Sequence, residues 1–381
     1  MTSFSDLGLA APLLKAVAGA NYTAPTPIQA QAIPPALAGH DVLGIAQTGT
    51  GKTAAFALPI ITRLQTGPRA VANSPRALIL APTRELAAQI GETFRVLGRA
   101  LGTRVAVVFG GVPKGRQARA LGAGIDVLVA TPGRLLDLMG DRAVRLDRVE
   151  VLVLDEADHM LDLGFIVPIR RIVQHVPAAR QTMFFSATMP KEIASLADGM
   201  LRDPVRVAVA PVATTVEKVD QYVIFVPQSE KRRALARLLG AEAGGRTLVF
   251  TRTKHGADRV VKHLAEDGIA AEAIHGNKSQ GQRERALAAF RGGRTRVLVA
   301  TDIAARGIDV TGIEHVINFE LPNVPESYVH RIGRTARAGA GGAAISLCDN
   351  AERAFLRDIE KLIRARVPVM SAPAAALARA A

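Results

Sequence analysis

Three groups of residues in this sequence have types and spacings suited to phosphate chemistry. The first is Ala46-Gln-Thr-Gly-Thr-Gly-Lys-Thr53, between the apolar run Val42–Ala46 and the helical pattern Lys52–Leu58. Glycines there let backbone N–H groups converge on an anion, and a helix N-terminus adds its positive dipole end. Lys52 is placed to reach outer phosphates as a point charge, and the Thr53 hydroxyl to ligate Mg²⁺. The pattern ordinarily opens on Gly, where this chain has Ala46. An ordinary strand–turn–helix corner is the plainer alternative, but Gly-Lys-Thr in this setting favours a phosphate cradle.

The second group is Val151-Leu-Val-Leu-Asp-Glu-Ala-Asp158, an apolar strand ending in adjacent carboxylates. It puts Asp155 near a metal held by Thr53 and leaves Glu156 to orient or deprotonate a water. Alone it would read as a solvated acidic turn. Following a phosphate loop, it completes an NTPase. The third group is His330-Arg-Ile-Gly-Arg-Thr-Ala-Arg337. Read as helix, it places Arg334 and Arg337 one turn apart, able to serve a transferring phosphoryl group with fixed charge and paired donors. A solvated basic helix fits those residues equally well when they are taken by themselves.

The elements that must position these groups follow from apolar runs. Val42–Ala46, Ala77–Ala81, Val105–Phe109, Val127–Ala130, Val151–Leu154 and Thr182–Phe185 alternate with helical patterns. Near-continuous apolar runs predict a parallel sheet covered on both faces, a doubly wound α/β domain with ligands at the carboxyl ends of its strands. A second series, Tyr222–Val226, Thr247–Thr251, Ala271–Ile274, Val297–Ala300, His315–Asn318 and Ala343–Leu347, predicts a second α/β domain without a phosphate loop. The expected division is residues 1–210, a linker at 211–219 where the helical period lapses, 220–368, and a disordered tail at 369–381.

Composition agrees. A chain of 381 residues exceeds one ordinary core. Its 49% hydrophobic and 22% charged residues exclude wholesale disorder. The net charge of +14 favours a polyanionic partner. Cys348 is the sole cysteine, so no intrachain disulfide forms, and the histidines show no metal-ligand spacing. Leu7–Leu14 lacks the positive n-region of a secretory signal, and no run reaches membrane-spanning length. A cytoplasmic location is expected.

The series Pro25-Thr-Pro-Ile-Gln29, Ala46–Thr53, Pro82-Thr-Arg-Glu-Leu-Ala87, Gly110-Gly111, Thr131-Pro-Gly-Arg134, Asp155–Asp158, Ser186-Ala-Thr188, Ala300–Asp309 and His330–Arg337 resembles the DEAD-box RNA helicases in order and spacing. The match runs from about Phe4 to Val367. Thr251–Asp258 and Ile274–Gln280 look most like the bacterial RhlE subgroup. The resemblance implies two tandem RecA-like domains, each a mostly parallel sheet flanked by helices, and the cofactors ATP and Mg²⁺.

It also implies roles. Gln29 reads the adenine edge, where a side-chain amide can donate and accept at once, with Tyr22 stacking on its face and Phe4 behind. Gln47, Thr48, Gly49, Thr50, Gly51, Lys52 and Thr53 hold the phosphates, and Asp309 the ribose. Thr53 and Asp155 hold Mg²⁺, partly through water, and Glu156, Arg334 and Arg337 act on the phosphoryl group. Ser186, Thr188, Asp158 and His330 couple nucleotide state to domain closure. RNA lies across Pro82, Thr83, Arg84, Gly110, Gly111, Thr131 and Arg134 of the first domain. On the second it meets Arg252, Thr253, Gly276, Gln280, Arg283 and Thr301. Contacts of this kind go to phosphate and sugar and carry no sequence code, and aromatics are too few for base stacking to be the main grip.

Two positions depart from the family pattern. Asn21 stands where Gly is usual, and asparagine tolerates positive φ. Ala336 replaces Gly within the expected arginine-bearing helix, which should favour helix there. The implied activity is ATP-dependent separation of short RNA duplexes or remodelling of ribonucleoprotein by a monomer, with ribosomal precursors or RNA-decay proteins as expected partners. An ATP-gated RNA clamp with little strand separation, a DNA translocase and a small-molecule NTPase are the rivals.

Overall fold

A computed structural model of the chain describes residues 2–47, 49–209, 219–240, 245–305, 310, 312–336 and 341–370. The chain divides into two compact units, Met1–Pro211 and Val212–Ala381. Thr48, Asp309, Arg337, most of the expected linker and residues 371–381 lie outside the described residues.

The first unit holds β1 (Val42–Ile45), β2 (Ala77–Leu80), β3 (Val105–Val108), β4 (Val127–Ala130), β5 (Val151–Leu154), β6 (Gln181–Ser186) and β7 (Val205–Ala208). Among the described residues they form one parallel sheet in the order β3-β4-β2-β5-β6-β1-β7. Successive side chains along a strand point to opposite faces. Ala77 and Ile79 accordingly join a core under the helices Pro27–Leu37, Lys52–Leu64 and Arg84–Gly98. Leu78 and Leu80 join a second core under Pro132–Gly140, Ile166–Val173 and Lys191–Asp198. With both faces covered, a strand favours apolar residues at nearly every position, and this is why the runs are nearly continuous.

The second unit repeats the plan with β8 (Val219–Phe225), β9 (Arg246–Thr251), β10 (Ala271–Ile274), β11 (Val297–Thr301), β12 (Ile313–Asn318) and β13 (Gly342–Cys348). Their parallel order is β10-β11-β9-β12-β13-β8. Two expected boundaries move. Val219, assigned to the linker, opens β8 and is buried. Val369 and Met370, assigned to the disordered tail, lie along the β8 edge. There Val223 N–H donates to Pro368 O at 2.9 Å and Met370 N–H to Val223 O at 2.9 Å.

Candidate functional site

The loop after β1 is built as a cradle. Gly49 and Gly51 have φ of 87° and 91°, the left-handed region that glycine enters without strain. Gly51 also caps the helix Lys52–Leu64. Ala46 shows no positive φ and is buried, so a methyl group is tolerated where Gly is usual. The Thr50 hydroxyl donates to Gln47 O at 2.7 Å, tightening the turn. Lys52 is buried, and its ammonium donates to Ala46 O at 2.8 Å, across the mouth of the loop. Thr53 follows it in the first helical turn.

Gln29 reaches this loop from the helix Pro27–Leu37. Its Nε2 donates to Gly51 O at 3.0 Å while its Oε1 accepts from Thr26 N–H at 3.0 Å. A Cβ on Gly51 would lie 2.4 Å from Gln29 Nε2, so the contact demands glycine sterically as well as conformationally. Phe4 is buried and meets half-buried Tyr22 edge-on, ring centres 6.2 Å apart at 87°. Burial raises the Tyr22 phenol pKa. Asn21 adopts φ 60°, the positive value expected of a glycine substitute.

One strand away from β1's neighbour, β5 ends in the acidic group. Asp155 is buried, and desolvation pushes its carboxyl up to about 7. The Lys52 ammonium and the Glu156 N–H oppose the rise, while the Glu156 and Asp158 charges add to it. Glu156 N–H donates to Asp155 Oδ1 at 3.0 Å. Glu156 itself is buried and held at φ 53°, a strained conformation for a non-glycine residue of the kind that gathers at functional sites. His159 Nδ1 lies 3.5 Å from Glu156 Oε2, and among the described residues neither ring nitrogen of this buried imidazole has a hydrogen-bond partner.

Asp158 ties this turn to the end of β6. Its Oδ2 accepts from Thr188 N–H at 2.9 Å and from the Thr188 hydroxyl at 3.0 Å. Ser186 Oγ accepts from Asp158 N–H at 3.2 Å and donates to Thr188 O at 2.7 Å. The structure therefore brings Asp158, Ser186 and Thr188 into one network.

The other candidate residues of the first unit sit at the carboxyl ends of β2, β3 and β4, which are neighbours in the sheet. Pro82 and Thr83 follow β2. Thr83 Oγ1 caps the helix Arg84–Gly98 by accepting from Leu86 N–H at 3.2 Å, leaving its hydroxyl proton free to donate elsewhere. Gly110 and Gly111 follow β3. Gly111 has φ 74°, and a Cβ there would be 2.2 Å from Arg84 Nη1, so the guanidinium occupies the space that a side chain would take. Thr131 follows β4 as a helix cap. Arg134 is nearly buried and turned inward. It donates to Gln117 Oε1 at 3.0 Å and to Val112 O at 3.1 Å, while Gln117 donates to Phe109 O at 3.0 Å. Its guanidinium braces the diglycine loop.

In the second unit the arrangement recurs at adjacent β10, β11 and β9. Arg252 and Thr253 follow β9, Gly276 follows β10 with Gln280 and Arg283 in the next helix, and Thr301 ends β11. Thr253 Oγ1 caps its helix, accepting from Gly256 N–H at 3.0 Å. Arg252 Nη2 lies 3.4 Å from Glu352 and 3.7 Å from Glu320, with the guanidinium 5.7 Å from the Phe355 ring centre. Lys231, fully buried, pairs with the same Glu352.

One expectation is corrected. The helix carrying His330 runs Pro325–Ile332 and stops before Arg334, so Arg334 does not lie on the helix expected to carry it; Arg337 lies outside the described residues. The Thr335 hydroxyl contacts Ile313 O at 2.6 Å and Glu314 O at 2.8 Å, drawing the chain out of helix. Ala336 then takes φ 53°, the left-handed region, so the usual Gly serves a turn and Ala adds strain there rather than helix. Arg334 is buried and donates back to His330 O at 3.3 Å. Arg331, not singled out from sequence, is the buried anchor of this region. It pairs with Asp302 at 2.6 Å and 2.7 Å and donates to Asn318 Oδ1 at 3.1 Å and Glu320 O at 2.6 Å. A doublet His-Arg gives no sign of which residue turns inward.

A phosphate-type loop at one strand end and a buried aspartate two strands over, in a parallel sheet, define the P-loop class of α/β architecture. The DEAD/DEAH box helicase model matches residues 26–196, and the helicase conserved C-terminal domain model matches residues 230–339. The DEAD-box ATP-dependent RNA helicase 30 of Arabidopsis thaliana is 44% identical over 382 residues, covering 100% of this chain and 65% of the relative. The ATP-dependent RNA helicase CshA of Listeria monocytogenes is 44% identical, covering 98% of this chain and 71% of its own. The chain thus spans about two thirds of the length of these relatives. S. cerevisiae Dbp5 bound to RNA and ADP BeF3 superposes with TM-score 0.84 at 31% identity, over 97% of this chain and 96% of the other. A DEAD box protein from Methanococcus jannaschii gives TM-score 0.55 at 36% identity, over 97% and 99%. The chain belongs to the DEAD/DEAH box helicase family.

Proposed function

We propose that this chain is an ATP-dependent RNA helicase whose two units close on ATP and single-stranded RNA, separate a short duplex or remodel ribonucleoprotein, and reopen on hydrolysis. The observation that carries this reading is the pairing of Lys52, buried across the mouth of a glycine cradle, with Asp155 and Glu156 at the end of β5.

The loop from Gln47 to Thr53 binds the phosphates, and Lys52 exchanges Ala46 O for a phosphate oxygen. A buried carboxyl short of positive charge suits a cation, so Asp155 and Thr53 fit Mg²⁺, held partly through water. When bound, Mg²⁺ supplies charge neutralisation on the phosphate oxygens. Glu156 orients a water and accepts its proton. Arg334 and Arg337 meet the charge developing on the phosphoryl group. Gln29, Tyr22 and Phe4 select adenine, and Asp309 contacts the ribose. The Asp158–Ser186–Thr188 network, with His330, transmits the phosphate state to closure. RNA lies on the strand-end residues of both units, through phosphate and sugar and without sequence preference. Arg134 and Arg252 act there chiefly by shaping the surface.

We read the chain as an RhlE-like member of the family, on the resemblance of Thr251–Asp258 and Ile274–Gln280, working in the cytoplasm as a monomer with ribosomal precursors or RNA-decay proteins as partners. Steady-state ATP hydrolysis with and without single-stranded RNA, beside the Glu156→Gln variant, tests the reading. RNA stimulation abolished by the substitution supports it, and equal rates with and without RNA overturn it. Duplex displacement measured beside RNA residence time separates a helicase from a clamp.

A further inference from the structure

The functional residues of the first unit crowd the carboxyl ends of its strands. The opposite end carries a cleft of about 810 Å³, where the segment entering β5 meets the segment entering β6. Its floor is aliphatic: Leu136 and Met139 from the helix Pro132–Gly140, with Val144 and Leu146 from the segment that follows. Its rim is cationic: Arg142 and Arg145 on one side and Arg171 on the other, with His175 beside it. Among the described residues the guanidinium groups of Arg142 and Arg171 have no hydrogen-bond or ion-pair partner. The Arg145 guanidinium meets the hydroxyl of Ser74 at 3.4 Å and Asp147 at 3.9 Å, the one carboxylate on the rim. Arg142 sits at φ 56°, a conformation that costs a non-glycine residue energy, and it presents its side chain here. Val167, 63% exposed, lies one helical turn before Arg171 and extends the apolar strip along the same helix face.

We infer that this cleft docks an acidic segment of a partner protein, one that seats leucine-like side chains on the floor and sets carboxylates against Arg142, Arg145 and Arg171. Charge complementarity selects the occupant. A cleft with two unpaired guanidinium groups, a third weakly paired and one carboxylate rejects a basic or neutral segment by uncompensated charge. The chain's own C-terminal residues 371–381 do not qualify, since they contain Arg379 and no acidic residue. RNA would satisfy the arginines but leave the aliphatic floor wet, and the floor offers no ring for base stacking. Because the cleft lies at the strand ends away from the nucleotide and RNA residues, a partner held there leaves both surfaces free.

The test uses the full chain and a fluorescein-labelled peptide of about twelve residues, Asp and Glu with leucines spaced three and four apart. A counterpart with Lys for Asp and Glu serves as control. Anisotropy should show salt-sensitive binding of the acidic peptide and none of the basic one. The double variant Arg142→Glu/Arg171→Glu, on exposed side chains outside the catalytic set, should weaken acidic-peptide binding roughly tenfold or more. It should leave ATP hydrolysis and oligouridylate affinity unchanged. Met139→Glu, which charges the floor, should weaken the peptide similarly. Peptide binding unaffected by both variants, or no binding at all, overturns the inference. A loss of oligouridylate affinity without loss of peptide binding overturns it in favour of an RNA path.

Discussion

Asp158 offers the sharpest test of how the acidic turn is held to β6. Its carboxylate accepts three hydrogen bonds: Thr188 N–H at 2.9 Å, the Thr188 hydroxyl at 3.0 Å and His159 N–H at 3.1 Å. Hydrogen bonds to a charged acceptor contribute about 1.5–3 kcal/mol each when isolated. Asp158 is half-buried, so the freed donors can turn partly to water, and Asp158→Ala should cost about 2–3 kcal/mol rather than the sum. Asp158→Asn should cost about 1 kcal/mol. Both Thr188 donors use the single oxygen Oδ2, which an asparagine carbonyl can replace; only the bond at Oδ1 is lost, where an amide would face an N–H.

In a unit of this size each kcal/mol moves the midpoint by about 2–4 °C, so calorimetry should show a drop of about 4–12 °C for Ala and about 2–4 °C for Asn. If the network transmits nucleotide state, duplex displacement should fall further than ATP hydrolysis in Asp158→Ala and recover in Asp158→Asn. Asn falling as far as Ala would refute the geometric argument, because charge alone would then hold the turn. A midpoint unmoved by Ala would refute the network itself.

Two other outcomes follow from the site and its corrected turn. Asp155, at about 7 rather than 3.8, keeps a proton that the unfolded chain has already lost, so ligand-free stability falls as pH rises from about 4 to about 7. Urea unfolding should show Asp155→Asn equal to the parent near pH 4 and more stable by a few kcal/mol near pH 8; a gap that ignores pH would refute the assignment. Ala336→Gly should be neutral to stabilising by up to about 1 kcal/mol, since relief of positive φ outweighs the entropy of glycine. Gly342→Ala should destabilise by about 1–3 kcal/mol, because its Cβ would lie 2.1 Å from Thr335 Oγ1 and 2.8 Å from Ala336 N. Denaturant midpoints for the two, compared directly, check both.

Most strands were legible in the sequence because a parallel sheet covered on both faces leaves few polar positions, and each apolar run predicted from sequence coincides with a strand to within a few residues. β7 was not. Val205-Arg-Val-Ala208 lies at the sheet edge with only Val207 buried, so its apolar run is broken by the face that meets water. The helix expected at Arg334 failed for a different reason. Local period continues past Gly333, but the Thr335 hydroxyl is claimed by two carbonyls of β12, more than twenty residues away in sequence. Tertiary hydrogen bonding overrode propensity.

The same distinction governs the candidate site. Residue types at strand ends were readable, because chemistry restricts them and topology fixes where those ends lie. What each side chain does there was not. Arg134, expected to face RNA, donates to Val112 O in the loop after β3 and to Gln117 in the helix Lys114–Gly122 that follows, and through Gln117 it reaches Phe109. Arg252 is likewise turned toward Glu352, which also receives the buried Lys231. An arginine at such an end can serve a polyanion in two ways, by touching it or by holding in place the backbone amides that do. Only the second survives replacement of a contacted phosphate by water. Arg134→Ala should therefore loosen the diglycine loop in the absence of RNA, visible as faster amide exchange at Gly110 and Gly111, whereas a residue whose sole role was contact would leave that exchange unchanged.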